Sequence, residues 1–247
     1  MKYRVLTYNI HKGFDTFGVK FILNQIKLAL KETNADLCLL QEVVGENEEW
    51  KQKHPERPFQ AQFEFLADTV WPYYSYGKNA VFTTRHHGNA VLSKYPVIFE
   101  KNVDLTLHRL EQRGFLHCRI QIPETQKIIE VINTHLNLRE KDRIIQMDNI
   151  VNYIKNNIDE NSPFIFGGDF NDWNYSINNH LKQQIQIADS HFFQYKNYAK
   201  SFPSFMPMVS LDRLYFKNLK LIQTEVFKSP SWSKLSDHLP LFSEYGV

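Results

Sequence analysis

The chain has 247 residues, 43% of them hydrophobic and 23% charged, and a formal charge of only +2. That is ordinary globular composition, and the small charge argues against a broadly basic face for nucleic acid. With no Pro-, Gly- or Ser-rich linker, repeat or low-complexity tract, one domain over 1–247 is expected.

In chain order, Tyr3 to Tyr8 reads as a strand ending in Asn9. A strand this early leaves no room for a secretory leader, and no apolar run approaches membrane-spanning length, so a cytoplasmic location is expected, with signal-less secretion left open. Val19 to Thr33 reads as a helix with Ile22, Ile26, Ala29 and Thr33 on one face and Asp15 or Thr16 as N-cap. Ala35 to Leu40 is a strand running into Gln41 and Glu42. Gly45 to Pro58, charged and holding two prolines, reads as an exposed loop. Phe63, Leu66 and Val70 mark a shorter helix that stops before Pro72. Asn89 to Lys94, Phe115 to Ile122 and Lys127 to His135 follow with short connections, which favours antiparallel pairing over simple βαβ alternation. Ile144, Met147, Val151, Ile154 and Ile158 step by three and four along an amphipathic helix, and Arg139, Lys141 and Arg143 read as its solvated start. Pro163 to Gly168 leads to Asp169 and Asn171. Leu211 to Phe216 carries Asp212. Asp237 and His238 precede the last strand, Leu239 to Tyr245. Several strands are apolar on both faces, so they are covered on both sides. Cys38 and Cys118 read as reduced core thiols.

The recurring feature is an apolar strand ending in a chemically capable residue. Asp169 and Asn171, two apart, can hold a water between a proton-accepting carboxylate and an orienting amide, with Gly167 and Gly168 allowing close backbone approach; an Asx turn is the alternative. His238 can take a proton or donate to a phosphate, or simply satisfy a loop. His135 shares a strand side with Asn133 and Asn137, and three polar groups there imply a polar pocket. Glu42 at a strand end is an apt ligand for a hard cation, or one half of a surface salt bridge.

The order and company of these residues resemble the endonuclease/exonuclease/phosphatase superfamily, which contains DNase I, AP endonucleases, sphingomyelinases and inositol polyphosphate 5-phosphatases. The matching stretches are Thr-Tyr-Asn-Ile-His at 7–11, Leu-Gln-Glu at 40–42, Gly-Asn-Ala-Val-Leu-Ser at 88–93 and Asn-Thr-His-Leu at 133–136. They continue with Gly-Gly-Asp-Phe-Asn at 167–171, Leu-Asp-Arg-Leu at 211–214 and Ser-Asp-His-Leu-Pro at 236–240. The resemblance implies an α/β fold, a four-layer αββα sandwich of two mixed sheets flanked by helices. It implies Glu42 as principal Mg2+ ligand with Asn9 beside it, Mn2+ or Ca2+ being possible substitutes. Asp169 and Asn171 would position and activate water, Asp212 would orient His238, and Asp237 would neighbour both metal and His238. His135 would stand close to the scissile phosphate. Arg113 and Asn89 are weaker candidates for gripping it.

Three functions are implied. A phosphodiesterase or nuclease fits the pair His135 and His238, against a net charge that is small for backbone binding. A phospholipid phosphodiesterase or phosphatase would need peripheral lipid contact through exposed apolar loops, with Phe202 to Met208 and Trp71 to Tyr74 as candidates; ordinary packing is the expectation for both. A non-catalytic binding module is disfavoured, because every carried-over position holds the expected residue type. No protein partner is implied.

Overall fold

The structure, a computed structural model, describes residues 2–49 and 60–246. Twelve strands form two six-stranded mixed sheets. The first has the order β11-β12-β1-β2-β4-β3: β1 (Lys2–Asn9), β2 (Leu37–Asn47), β3 (Tyr73–Val81), β4 (Arg85–Ser93), β11 (Lys220–Val226) and β12 (Leu241–Gly246). The second has the order β5-β6-β7-β8-β10-β9: β5 (Val97–Asp104), β6 (Gly114–Gln121), β7 (Ile128–His135), β8 (Phe164–Asp169), β9 (Ala188–Asp189) and β10 (Asp212–Lys217).

Side-chain alternation sorts each strand between two hydrophobic layers. Leu37 and Leu39 of β2 face inward, where they join Val131, Ile165 and Leu214 of the other sheet. Cys38 and Leu40 face outward onto α1 (Leu23–Glu32), against Ile26 and Leu30. On the second sheet, Ile132 and Phe166 face α3 (Glu140–Asn157) through Met147, Ile150 and Ile154. The result is a four-layer sandwich in which each sheet is covered on both faces. Cys38 and Cys118 are both buried and free, and they belong to different hydrophobic layers.

Several expected elements are corrected. The first helix starts at Leu23, not Val19. Asp15 instead accepts the N–H of Val19 in a local turn, and the Thr16 hydroxyl reaches the carbonyls of Ser233 and Ser236, so neither residue caps the helix. Of the loop expected over Gly45–Pro58, residues 45–47 continue β2, because Asn47 still pairs with Arg85; residues 50–58 lie outside the described residues. The short helix α2 spans Gln62–Ala67. Ile144, placed on the buried stripe of the long helix, is 41% exposed. Arg143, read as solvated, is buried and donates to the Leu138 carbonyl, while Asn137 and Gln146 exchange hydrogen bonds beside it. Helices α4 (Ser176–Ile185) and α5 (Ser190–Tyr195) were not anticipated. Among the described residues no helix is long and apolar enough to cross a membrane.

Candidate active site

Topology gathers the polar strand ends at one edge of the sandwich. β7 and β8 run parallel, so their C-terminal residues His135 and Asp169 are direct neighbours. β10 runs antiparallel to β8, and its first residue, Asp212, pairs with Asp169 on the other side. In the facing sheet β1 and β2 are parallel, which sets Asn9 beside Gln41 and brings Glu42 next in line. β12 returns antiparallel to β1, so His238, three residues before it, arrives at the same edge.

Two backbone devices aim the side chains. The β2–β4 register slips between Leu40 and Val43, and Glu42 occupies this bulge at φ 55°. A bulge with a left-handed residue takes a side chain out of the alternating pattern. Gly168, at φ 143°, lies so close to β7 that a Cβ there would sit 2.0 Å from the Thr134 carbonyl oxygen. Asn171 lies beyond β8 at φ 49°, so it does not share a strand face with Asp169 as expected. Its N–H donates to Asp169 Oδ1 at 3.0 Å, an Asx turn, while its amide donates to the Leu136 carbonyl at 2.9 Å. His11 and Lys12 also have positive φ. Left-handed residues other than glycine cost energy, and four of them fall around this one edge.

The centre is Asp169 Oδ2. Asn9 Nδ2 donates to it at 3.0 Å, His135 Nε2 stands 3.4 Å away and His238 Nε2 3.6 Å away. His238 Nδ1 is in turn 2.8 Å from Asp212 Oδ2, and all four of these partners are buried. Burial alone pushes the His238 imidazole down, but Asp212 and Asp169 reverse this and hold it well above the usual histidine range. His135 goes the other way: burial, reinforced by the Arg113 guanidinium, keeps it neutral. Burial raises the Asp169 carboxyl above its ordinary value; His238 pulls against this and Asp212 adds to it.

Glu42 stands in an adjoining small cavity with Asn89, Arg113, His87 and His135. His135 therefore belongs to both groups and joins them into one site. Burial opposes ionisation of Glu42, yet Lys12, whose Nζ is 2.9 Å from Oε2, together with His135 and Arg113, keeps the carboxyl far below its usual range. Arg113 is no free surface arginine: Nε donates to the Leu136 carbonyl and Nη2 pairs with Glu111. Asn89 donates to the Gly114 carbonyl at 3.0 Å. Asp237 stands apart from the buried centre. Half-exposed, it accepts from the Ser236 hydroxyl and faces His11 Nδ1 at 3.7 Å. Both ends of the Asn9 amide are engaged, since Oδ1 accepts the His11 N–H.

Sequence reasoning missed Lys12 and His87. Lys12 directly follows the matched stretch at 7–11, and His87 directly precedes the one at 88–93. Burial, with Lys12 next, lowers the His87 imidazole to about 4.

The donors suit a divalent cation. Glu42 is ionised, and Asp212 Oδ1 is buried without a hydrogen-bond partner. Ligand atoms of Asp169, Asp212 and His238 lie within 4.8 Å of one another.

The sequence profile of the Endonuclease/Exonuclease/phosphatase family matches residues 6–238. "Uncharacterized protein YbhP" of Escherichia coli strain K12 is 40% identical over 242 residues, spanning 98% of this chain and 95% of that protein. Among solved structures, an endonuclease/exonuclease/phosphatase from Beutenbergia cavernae superposes with a TM-score of 0.77 at 18% identity, covering 100% of this chain and 72% of that one. A mannosyl-6-phosphatase of Bacteroides thetaiotaomicron superposes with a TM-score of 0.74 at 15% identity, covering 99% of this chain and 100% of that one.

Proposed function

We propose, from the premise that this chain belongs to the Endonuclease/Exonuclease/phosphatase family of phosphate-ester hydrolases, that it is a Mg2+-dependent phosphodiesterase. The observation that carries this is the single carboxylate oxygen of Asp169 faced by Asn9, His135 and His238. Such a ring of donors suits a spot where a water proton leaves and a phosphate oxygen arrives.

The chain's own groups divide the work by charge. Asp169 accepts the proton of the attacking water, and a carboxyl raised from its ordinary value is a better base than a free one. Asn171, locked by Leu136, fixes the turn that carries this base. His238 is cationic and clamped by Asp212, so its Nε2–H points donor density at a developing phosphorane charge. Neutral His135 can donate a hydrogen bond to the leaving oxygen, whose proton would come from cationic His238 or from solvent water, and two histidines held in opposite protonation states make that division workable. Glu42 would hold the cation, with Asn9 and Asp237 as further candidate ligands, which in this structure are engaged by Asp169 and His11 and by His11 and Ser236. In this structure Lys12 supplies the positive charge beside Glu42. The bound ion would neutralise a phosphate oxygen that otherwise repels the incoming water. Arg113 and Asn89 line the cavity where the ester's remaining oxygens would lie.

A second reading is favoured by one feature. A divalent cation on Glu42 would free Lys12 to meet a phosphate beside Arg113, which is itself paired with Glu111. That suits a phosphomonoester, the substrate class named for the Bacteroides mannosyl-6-phosphatase.

The test is turnover of bis-p-nitrophenyl phosphate and of p-nitrophenyl phosphate with Mg2+, Mn2+ or Ca2+, each against chelator. Metal-dependent hydrolysis of the diester is expected, with Glu42→Ala and His238→Ala each lowering it by roughly 10²-fold or more. Near-wild-type rates in both folded variants would refute the assignment.

A further inference from the structure

The site is bordered by an apolar surface that the chemistry above does not use. Phe17 is 76% exposed and Phe205 60%, and their rings meet at 6.1 Å. Val19, Met206 and Met208 are also more than half exposed, and Trp173 is 44% exposed. Ordinary packing was the expectation for Phe202 to Met208; the structure turns three of its apolar side chains outward. On the other candidate stretch Trp71 is fully buried, while Tyr73 and Tyr74 are each 42% exposed.

These side chains are held out by a built scaffold. Phe202 and Val209 exchange backbone hydrogen bonds, and Met206 N–H returns to the Pro203 carbonyl, closing a tight hairpin. Ser204 N–H bonds the Asp237 carbonyl, and its hydroxyl bonds the Ser236 carbonyl. The Thr16 hydroxyl reaches Ser233 and Ser236 from the other loop. The rim is thereby bolted to the segment carrying His238, whose ring lies 5.0 Å from that of Phe202; Trp173 also meets Phe202, edge to face at 6.1 Å.

We propose that this rim docks on an anionic phospholipid surface, so that the ester reaching the site is one carried by a membrane lipid; the second half rests on the phosphodiesterase reading. Contiguous exposed apolar patches on soluble chains mark interaction surfaces. The charge around this one is complementary to lipid phosphate. Segments 10–22, 198–210 and 227–238 hold Lys20, Lys200, Lys228 and Lys234, besides Lys12 that is paired with Glu42, against Asp15 and Asp237, in a chain whose total charge is +2. Apolar side chains flanked by lysines are what an interfacial contact needs. Two other occupants fit less well. Single-stranded nucleic acid wants several separate ring faces for bases, whereas Phe17 and Phe205 pack on each other, Val19, Met206 and Met208 have no ring, and Trp173 is the one ring left. A protein interface favours tryptophan, tyrosine and arginine at its centre; these segments supply no arginine, Tyr198 as their one tyrosine and a Trp232 packed on Tyr8 and Phe227, which leaves Trp173 as the rim's one anchor of that kind.

The experiment is co-flotation of the whole chain with vesicles of phosphatidylcholine and phosphatidylglycerol, two to one, at low and high salt, for wild type and Phe17→Ser/Phe205→Ser. Both positions are solvent-exposed and outside the site, so turnover of bis-p-nitrophenyl phosphate checks folding and should not change. Wild type is expected to float, more weakly at high salt, and the double variant to bind at least tenfold less. A wild type that stays at the bottom, or a double variant that floats equally, overturns the proposal. So does a rim that proves to bind an oligothymidylate or to hold a dimer, seen as loss of either in the double variant without vesicle binding by wild type. Vesicle binding with no diester hydrolysis would remove the phosphodiesterase reading and leave the docking surface standing.

Discussion

Asp212 touches neither water nor ester in the arrangement above, yet it decides the charge of His238. Its Oδ2 lies 2.8 Å from Nδ1, and both groups are buried. An amide in its place keeps the shape and loses the negative charge, so the imidazole falls back from its raised value toward or below 6.5. If cationic His238 is the active form, the alkaline limb of the kcat profile moves to lower pH in Asp212→Asn. Turnover at neutral pH then falls by roughly 10²-fold to 10⁴-fold. A pH profile in Mg2+ reads this directly; an unshifted alkaline limb would mean that His238 works uncharged. The candidate site's residues stood out in sequence as polar tips of apolar strands, but only the order of motifs shared with the superfamily joined them into one proposed site. Lys12 and His87 did not stand out, since a lysine or histidine beside a glycine looks like solvated loop until the fold sets it against a carboxylate such as Glu42.

The legible elements are the buried ones. β1, β2, β7, β8 and β10 announce themselves through apolar runs, whereas the outlying strands β3, β5 and β11 mix charged and apolar residues and stay half-exposed, so nothing in their pattern separates them from loops. The start of α1 was misread for a different reason: Asp15 and Thr16 are good caps, but here they spend their oxygens on a local turn and on the segment before His238. What sequence cannot show is how closely β7 and β8 approach. Gly168 is the point of contact, combining positive φ with no room for a Cβ against Thr134. Gly168→Ala therefore has to push β8 away from β7 exactly where His135 and Asp169 pair. Strain and clash together should cost about 3 kcal/mol or more, lowering Tm by roughly 10 °C. A thermal melt within 2 °C of wild type, on the order of the scatter expected for a neutral surface change, would show that the two strands separate easily.

At the scale of the molecule, the site depends on how the two sheets are held relative to each other, because Glu42 and Asn9 belong to one and His135, Asp169 and Asp212 to the other. The expectation of a four-layer sandwich came from the resemblance to the superfamily and agreed with strands apolar on both faces, but such strands alone would let the sheets slide. A polar strut crosses the apolar layer close to the site. Gln41 Nε2 donates to Asn133 Oδ1 at 2.7 Å, and Asn133 Nδ2 donates to the carbonyls of Leu40 and Ala90, both at 2.9 Å. Asn133 is fully buried, and so is Gln41. Directional bonds in a low-dielectric layer fix one register where dispersion would accept several. Glu42 follows Gln41, and His135 lies two residues beyond Asn133, so the strut sets the span between them. Asn133→Leu takes a side-chain donor from the buried Leu40 and Ala90 carbonyls, while Gln41 Nε2 keeps Thr7 Oγ1 and the Leu39 carbonyl, and should cost about 2 kcal/mol in urea melts. It should also lower kcat at least tenfold with little change in KM, because small displacements of positioned groups are expensive in rate. The stability loss alone would follow from any buried polar deletion. A variant that loses stability but keeps its kcat would show that the strut holds the core together without setting the geometry of the site.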